Sequence, residues 1–207
     1  MVLNNFIVFE GIDGAGTTTQ LNLISAHFRE RLAKEVFVTQ EPTSSPIGKL
    51  LREYLSGRQK AEPSTLAHLF AADRNEHVYG RDGVMDHVGR GEIVFSDRYF
   101  FSSIAYQQVP SQADLPILLN QFPLPEILFY FDIDPAVSFG RLGNRSELEI
   151  FEKLPFQRQV AARYDALLTL YAPSQIKIYR IDASLPKEKV TEQILEGLGA
   201  HFGGVKA

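Results

Sequence analysis

One short segment constrains this chain more than any other. Gly11-Ile12-Asp13-Gly14-Ala15-Gly16-Thr17-Thr18-Thr19 follows directly on the apolar run Phe6-Ile7-Val8-Phe9. It precedes a stretch with Leu21, Ile24, Phe28 and Leu32 at helical spacing. A continuous apolar run suits a strand covered on both faces, and that spacing suits an amphipathic helix. A strand that enters a helix through a glycine-rich turn is the context of a phosphate-binding loop. The pattern is G-x-x-x-x-G-K-[ST], and Gly11, Gly16 and Thr18 fit it. Glycines let the backbone wrap phosphates, and the amides of the helix N-terminus point at them. Thr18 stands where a hydroxyl ligand of Mg²⁺ belongs. Thr17 stands where the pattern has Lys, which removes a charge-assisted contact worth about 1.5–3 kcal/mol. The plainer alternative is a glycine turn with no ligand, and the loop leaves open weak binding, a cation from elsewhere or an inert site.

Further apolar runs at residues 36–38, 93–95, 127–131 and 176–181 read as parallel strands. Helix-length segments lie between them, at 17–32, 46–55, 64–88, 147–171 (broken or bent at Pro155) and 187–202. Strands alternating with helices predict an α/β sandwich around a parallel sheet. The length of 207 residues fits one domain. With no cysteine, disulfide scaffolds, thiol nucleophiles and thiolate metal sites are excluded. The formal charge of −4 argues against a nucleic-acid polymer as partner, yet leaves room for a small anion in a local basic site. Positions 1–5 carry no basic residue and no run approaches a membrane span, so a soluble cytoplasmic protein is expected.

Four more constellations bear on chemistry. Glu41-Pro42 ends a strand, where the ligand crevice of an open α/β sheet lies, and Arg52 follows inside the next helix. Phe70 and Arg74 are four residues apart on one helix face, so a ring and a guanidinium can stack on a base and bond its edge. The bland alternative is a core Phe70 with Arg74 paired to Asp73 or Glu76. Asp97-Arg98 closes another strand, where an acid can hold Mg²⁺ or its waters and an arginine can bridge phosphates. The alternative there is a simple Asp97–Arg98 ion pair. Ser103 and Gln107 are one helical turn apart behind it and can read a base edge. Last, Arg141, Arg145, Glu147, Glu149 and Glu152, punctuated by Gly140, Gly143 and Asn144, read as a lid or as an ordinary charged surface. His68, His77 and His87 are too scattered to suggest a metal site.

Together these blocks resemble the thymidylate kinase family, which phosphorylates dTMP with ATP. Phe-Glu-Gly-Ile-Asp-Gly-Ala-Gly, Leu-Phe-Ala-Ala-Asp-Arg and Asp-Arg-Tyr-x-x-Ser-Ser-x-Ala-Tyr-Gln carry the resemblance, in order, from Phe6 to about Tyr164. The resemblance implies a three-layer P-loop NTPase sandwich with a central five-stranded parallel sheet and a small lid at about 141–155, within one domain spanning 1–207. It also implies a homodimer, with helix 64–88 at the dimer surface. Gly11 and residues Asp13, Gly14, Ala15, Gly16, Thr17, Thr18 and Thr19 would form the ATP site, with Arg141 near the adenine. Asp13 would also meet the 3′-hydroxyl of dTMP. Arg52 and Arg98 would hold its phosphate, Phe70 would stack on thymine and Arg74 would bond O4. Ser103 and Gln107 would complete base recognition, and Tyr106 would pack on the sugar. Glu10 and Asp97 would place Mg²⁺ and its water shell, and Asp97 with Thr18 would be its ligands. Gly14-Ala15 lacks an arginine that one subgroup has, so the lid's Arg145 would supply it.

The expected chemistry is attack of a dTMP phosphate oxygen on the γ-phosphorus of MgATP, driven by positioning and charge stabilisation. Thr17 departs from the family's Lys, and the expectation is an active enzyme in which Arg145, Arg98 and Mg²⁺ meet the lost charge. A non-catalytic nucleotide sensor and another nucleotide kinase are the alternatives. A regulatory GTPase is disfavoured, because no Asn/Thr-Lys-x-Asp motif follows a strand.

Overall fold

A computed structural model of the chain describes residues 1–32, 35–110, 114–142 and 153–202. Five strands form one sheet: β1 (Val2–Gly11), β2 (Val36–Gln40), β3 (Ile93–Asp97), β4 (Leu124–Asp132) and β5 (Lys177–Asp182). Their order is β2-β3-β1-β4-β5, and every neighbouring pair is parallel. The glycine-rich loop therefore leaves the middle strand, with a crossover on either side of it. Parallel neighbours need crossover connections, and helices supply them. They are α1 (Thr17–Leu32), α2 (Pro46–Leu55), α3 (Pro63–Tyr79), α4 (Val84–Gly89), α5 (Phe100–Gln107), α6 (Leu115–Leu119), α7 (Pro135–Leu142), α8 (Leu154–Tyr171) and α9 (Lys187–Phe202). They cover both faces of the sheet, which is the expected three-layer arrangement.

Cover on both faces explains the unbroken apolar strands. Phe6, Ile7, Val8 and Phe9 are wholly buried, as are Val94 and Phe95 beside them and Ile127, Phe129 and Phe131 on the other flank. Their rings interlock: Phe9 meets Phe95, Phe129 and Phe131 with centroids 5.5–6.2 Å apart, and Phe28 of α1 closes on Phe95 edge-on at 5.3 Å. Among the described residues, no helix is long and apolar enough to cross a membrane.

The structure differs from the sequence reading in three places. Strand β1 starts at Val2, ahead of the apolar run, with a register shift between Leu3 and Ile7. There Asn5 takes φ 62° and its N–H donates to Glu126 Oε2 at 2.6 Å. The expected helix 64–88 divides into α3 and α4, because the chain turns at Gly80, where a Cβ would lie 2.4 Å from the Glu76 carbonyl oxygen. Pro155 opens α8 in its first turn instead of bending it, a position where its missing N–H costs no hydrogen bond. Of the expected lid, 143–152, and with it Arg145, Glu147, Glu149 and Glu152, lies outside the described residues.

Candidate active site

The carboxyl ends of β1, β2 and β3 open onto a cavity of about 620 Å³, and the loop after β1 forms one wall. Gly14 and Gly16 take φ 79° and 96°, a left-handed region that glycine enters without cost. The Ala15 N–H donates to the Ile12 carbonyl at 3.1 Å, closing the turn, and α1 begins at once with Thr17. Gly14 is also confined by its neighbour: a Cβ there would lie 2.8 Å from the Ser138 carbonyl oxygen of α7. Ser138 Oγ in turn donates to the Asp13 carbonyl. The first turn of α1 has no acidic residue, so its amides face the cavity with their partial positive charge uncancelled. Thr17 is buried, and Thr18 and Thr19 are exposed.

Asp97 ends β3 beside this loop. Its Oδ2 accepts from Thr18 Oγ1, while its Oδ1 is buried with no hydrogen-bond partner. A bare buried carboxylate oxygen next to a hydroxyl is a donor set for a hard cation. Among the described residues no cluster of three or more His, Asp or Glu is placed to hold a metal. The Asp97 oxygen and the Thr18 hydroxyl fit Mg²⁺, an ion that keeps several waters and binds few protein ligands.

Arg98 is a strained residue. Its φ of 71° costs a non-glycine residue about 1–2 kcal/mol. Its N–H bonds the Phe9 carbonyl at 2.9 Å, and its carbonyl accepts from Ser96 Oγ at 2.7 Å, which fixes the turn. The turn sends the side chain across the end of β1. One guanidinium nitrogen donates to the Gly11 carbonyl at 3.0 Å and to Ser102 Oγ at 3.1 Å, and the other meets Asp13 Oδ1 at 2.5 Å. The charge lies 5.3 Å from the Tyr106 ring centre. Asp13 Oδ2 accepts from Gln157 Nε2 of α8 at 2.7 Å, so Asp13 is held from two sides.

Glu10 precedes the loop on β1. It is wholly buried and stands behind the cavity wall, not on it. Its Oε1 accepts from the N–H groups of Tyr99 and Ser102 at 2.8 and 3.2 Å. Its Oε2 accepts from Ser102 Oγ and the Tyr164 hydroxyl at 2.5 and 2.8 Å. Tyr99 offers no side-chain cap to α5, so a carboxylate from β1 caps that helix. Burial pushes the Glu10 carboxyl up to about 7, against the Arg98 charge and these hydrogen bonds, which pull it down. Glu10 thus reaches the site through Arg98 and Ser102.

The opposite wall comes from α2, α3 and α5. Half-buried Phe70 lines it, with Tyr106, Ser103 and Gln107 of α5. Arg74 is 1% exposed and pairs with neither Asp73 nor Glu76. Its Nε and Nη2 donate to Glu41 Oε2 at 2.8 and 2.5 Å. Nη2 also donates to Ser103 Oγ at 2.8 Å, and Nη1 to Asn120 Oδ1. Asp73 instead holds the loop after β2, accepting from the Thr43 N–H, Thr43 Oγ1 and Ser45 Oγ at 2.6–2.9 Å. Arg52 donates to the carbonyls of Pro42 and Thr43, so it braces that loop while lining the cavity. At the far end, Arg141 donates to the Ala183 carbonyl at 3.0 Å, beside Leu185 and Lys187.

One cavity therefore gathers the loop from Asp13 to Thr19 with Arg52, Phe70, Arg74, Asp97, Arg98, Ser103, Tyr106, Gln107 and Arg141. Gly11 and Glu10 lie just behind it. The sequence reading missed Gln157, Tyr164, Asn120 and Lys187, which are single polar residues in no local pattern.

A phosphate loop on the central strand of a five-stranded parallel sheet, facing an aspartate that closes the next strand, defines a P-loop kinase fold. The sequence pattern of the thymidylate kinase family matches residues 9–194. A Treponema pallidum protein bearing a thymidylate kinase name is 41% identical over 203 residues, covering 95% of this chain and 96% of its own. A Methanococcus aeolicus protein named "Probable thymidylate kinase" is 34% identical, over 95% of this chain and 96% of its own. One of the same name from Thermococcus kodakarensis is 38% identical, over 92% and 95%. The chain belongs to the thymidylate kinase family.

Proposed function

We propose that this protein transfers the γ-phosphoryl group of ATP to dTMP, giving dTDP and ADP in the cytoplasmic route to dTTP. The observation that carries this reading is that Phe70, Arg74, Ser103 and Gln107 share one cavity with the phosphate loop. A stacking ring, a fixed guanidinium and two polar side chains suit a pyrimidine with a 4-oxo group. The loop opposite suits a polyphosphate.

A phosphate oxygen of dTMP attacks the γ-phosphorus while the bond from that phosphorus to the β,γ-bridging oxygen breaks, and the electron pair leaves with ADP. The nucleophile is already ionised, so the site needs no strong base, only positioning and charge. Arg98 and Arg52 hold the acceptor phosphate. Asp13, fixed by Gln157 and Arg98, is available to the deoxyribose 3′-hydroxyl. Tyr106 packs on the sugar. The loop amides take the donor phosphates, and Arg141 with Ala183 and Leu185 borders the adenine. Thr18 and Asp97 would hold Mg²⁺, which neutralises phosphate charge. The exposed apolar residues Tyr79 of α3 and Ile117 and Leu118 of α6 fit a homodimer surface, which light scattering would test.

A coupled assay of ADP release, with dTMP, dUMP, dCMP, dGMP and AMP as acceptors and ATP or GTP as donor, tests the reaction. dTMP with ATP is expected to be the best pair, and no dTMP turnover above background would sink the proposal. Thr17 favours a second reading, a nucleotide-binding protein with weak or no kinase activity. That reading predicts calorimetric binding of dTMP and ATP with no product.

A further inference from the structure

His77 belongs to no part of the chemistry above, yet it is bonded at both ring nitrogens. It follows Arg74 by three residues on α3, so the two side chains share one helix face. Both grip Glu41. The Oε2 of Glu41 takes Arg74, and its Oε1 meets His77 Nδ1 at 2.9 Å. The other ring nitrogen, Nε2, meets Thr39 Oγ1 of β2 at 2.7 Å. The chain of bonds runs Thr39–His77–Glu41–Arg74–Ser103, and all but Thr39 are buried. It is self-consistent for a neutral imidazole: the Thr39 hydroxyl donates to Nε2, and Nδ1–H donates to Glu41.

We propose that His77 is a positioning residue for the acceptor base, acting through Glu41 on Arg74. The proposal rests on the dTMP reading above. A carboxylate held at one oxygen can swing about its last bond; held at both, it fixes a plane. Arg74 needs that plane, because Glu41, Ser103 and Asn120 occupy four of its five N–H donors. The remaining N–H, on Nη1, is the one it can offer to a ligand. With a single donor to offer, the orientation of the guanidinium decides what it meets. A 4-oxo pyrimidine accepts that hydrogen, while a 4-amino pyrimidine turns an N–H toward it. Loss of the Glu41 brace therefore weakens dTMP binding and blurs the distinction between 4-oxo and 4-amino rings. The donor site, on the other wall, stays as it was.

The test compares wild type, His77→Phe, His77→Asn and Thr39→Val for dTMP and for 5-methyl-dCMP, which has a 4-amino group for the 4-oxo group and a bare N3 for N3–H. His77→Phe is expected to raise the dTMP KM roughly tenfold, as for one hydrogen bond to a charged group. It is also expected to narrow the preference for dTMP over 5-methyl-dCMP, with the ATP KM unchanged and kcat less affected. His77→Asn retains an N–H near the Nδ1 position and is expected to restore most of the preference. Thr39→Val should shift it in the same direction as His77→Phe. A merely structural role would lower the unfolding temperature and kcat for both acceptors and leave their ratio alone, which would overturn the proposal. If His77→Phe fails to fold, a wild-type ratio in folded Thr39→Val would overturn it. No dTMP turnover by wild type would sink the functional reading itself; normal wild-type turnover with unshifted variants sinks this inference alone.

Discussion

Thr17→Lys returns to the phosphate loop the cation that its pattern calls for, and the structure sets what that should do. Thr17 opens α1 and is 7% exposed, and no acidic residue shares the first helical turn. A lysine there has somewhere to go, because Thr17 lines the cavity. In the free protein the new charge sits at the positive end of the helix dipole and costs about 0.3–1 kcal/mol. For a chain of this size that lowers the unfolding temperature by about 1–4 °C. With ATP bound, a charged donor on phosphate contributes about 1.5–3 kcal/mol, or roughly 10- to 150-fold. That full gain is expected only if nothing else supplies the charge.

The cavity wall already carries cations in different states of commitment. Arg74 and Arg52 are tied to Glu41, Ser103 and Asn120 and to loop carbonyls, respectively. Arg98 is paired with Asp13 but sits at the junction of the two walls. Lys187 meets Glu188 at 3.9 Å, and its side chain is 56% exposed. On the proposed compensation by Arg98, Arg145 and Mg²⁺, Thr17→Lys is expected to raise kcat/KM for ATP by less than about threefold, well inside the uncompensated range. Steady-state ADP release at saturating dTMP measures it. A gain of tenfold or more with the dTMP KM unchanged would refute compensation.

Three other variants test separate parts of the site. Burial raises the Glu10 carboxyl from 4.5 to about 7, so the native state binds its proton more tightly than the unfolded chain. Its contribution is therefore fully present below about pH 4.5 and lost as pH rises through 7, about 3 kcal/mol in all. Glu10→Gln should flatten that part of the stability profile, and an unchanged slope between pH 5 and 8 in denaturant titrations would count against the assignment. Gly14→Ala forces a side chain into φ 79° and to 2.8 Å from a backbone oxygen. A loss of at least about 1–2 kcal/mol is expected, and an unshifted thermal midpoint would contradict it. Asp97→Asn keeps an acceptor for Thr18 but removes the charge, so half-maximal rate should need about tenfold more Mg²⁺, and an unaltered Mg²⁺ dependence would remove Asp97 from the metal site.

The parts legible in the sequence are those encoded by local pattern. Residues 6–9 and 127–131 read as strands because cover on both faces leaves no polar alternation to interpret. The start of α1 at Thr17 was readable because a glycine turn must end where helical spacing begins. Asn4 and Asn5 hid the first half of β1, since their polarity is absorbed by a register shift and by Glu126 from a distant strand. The braces were not legible at all. Gln157 reaches Asp13 and Tyr164 reaches Glu10 across 144 and 154 residues. A lone glutamine or tyrosine on an amphipathic helix carries no mark of a partner that only folding supplies. His77 shows the same limit: its spacing from other histidines was uninformative because its partners are Glu41 and Thr39.

Buried charges alone do not mark a catalytic site, because a charge inside a protein is tolerated only when paired, and structural pairs look the same. Asp73, held by Thr43 and Ser45, meets that structural need without a ligand. The informative features are those that packing leaves unexplained. Asp97 keeps a bare buried oxygen, which costs about 1–3 kcal/mol unless a ligand meets it. Arg98 holds a left-handed backbone that a glycine would adopt without strain. Phe70 leaves its ring half-exposed in a chain whose other rings on β1, β3 and β4 are fully buried. Each is destabilising or neutral for the fold, and all three face one cavity. Convergence of such costs on a single space is what selection for a bound nucleotide produces, and it holds whether or not Thr17 slows the turnover.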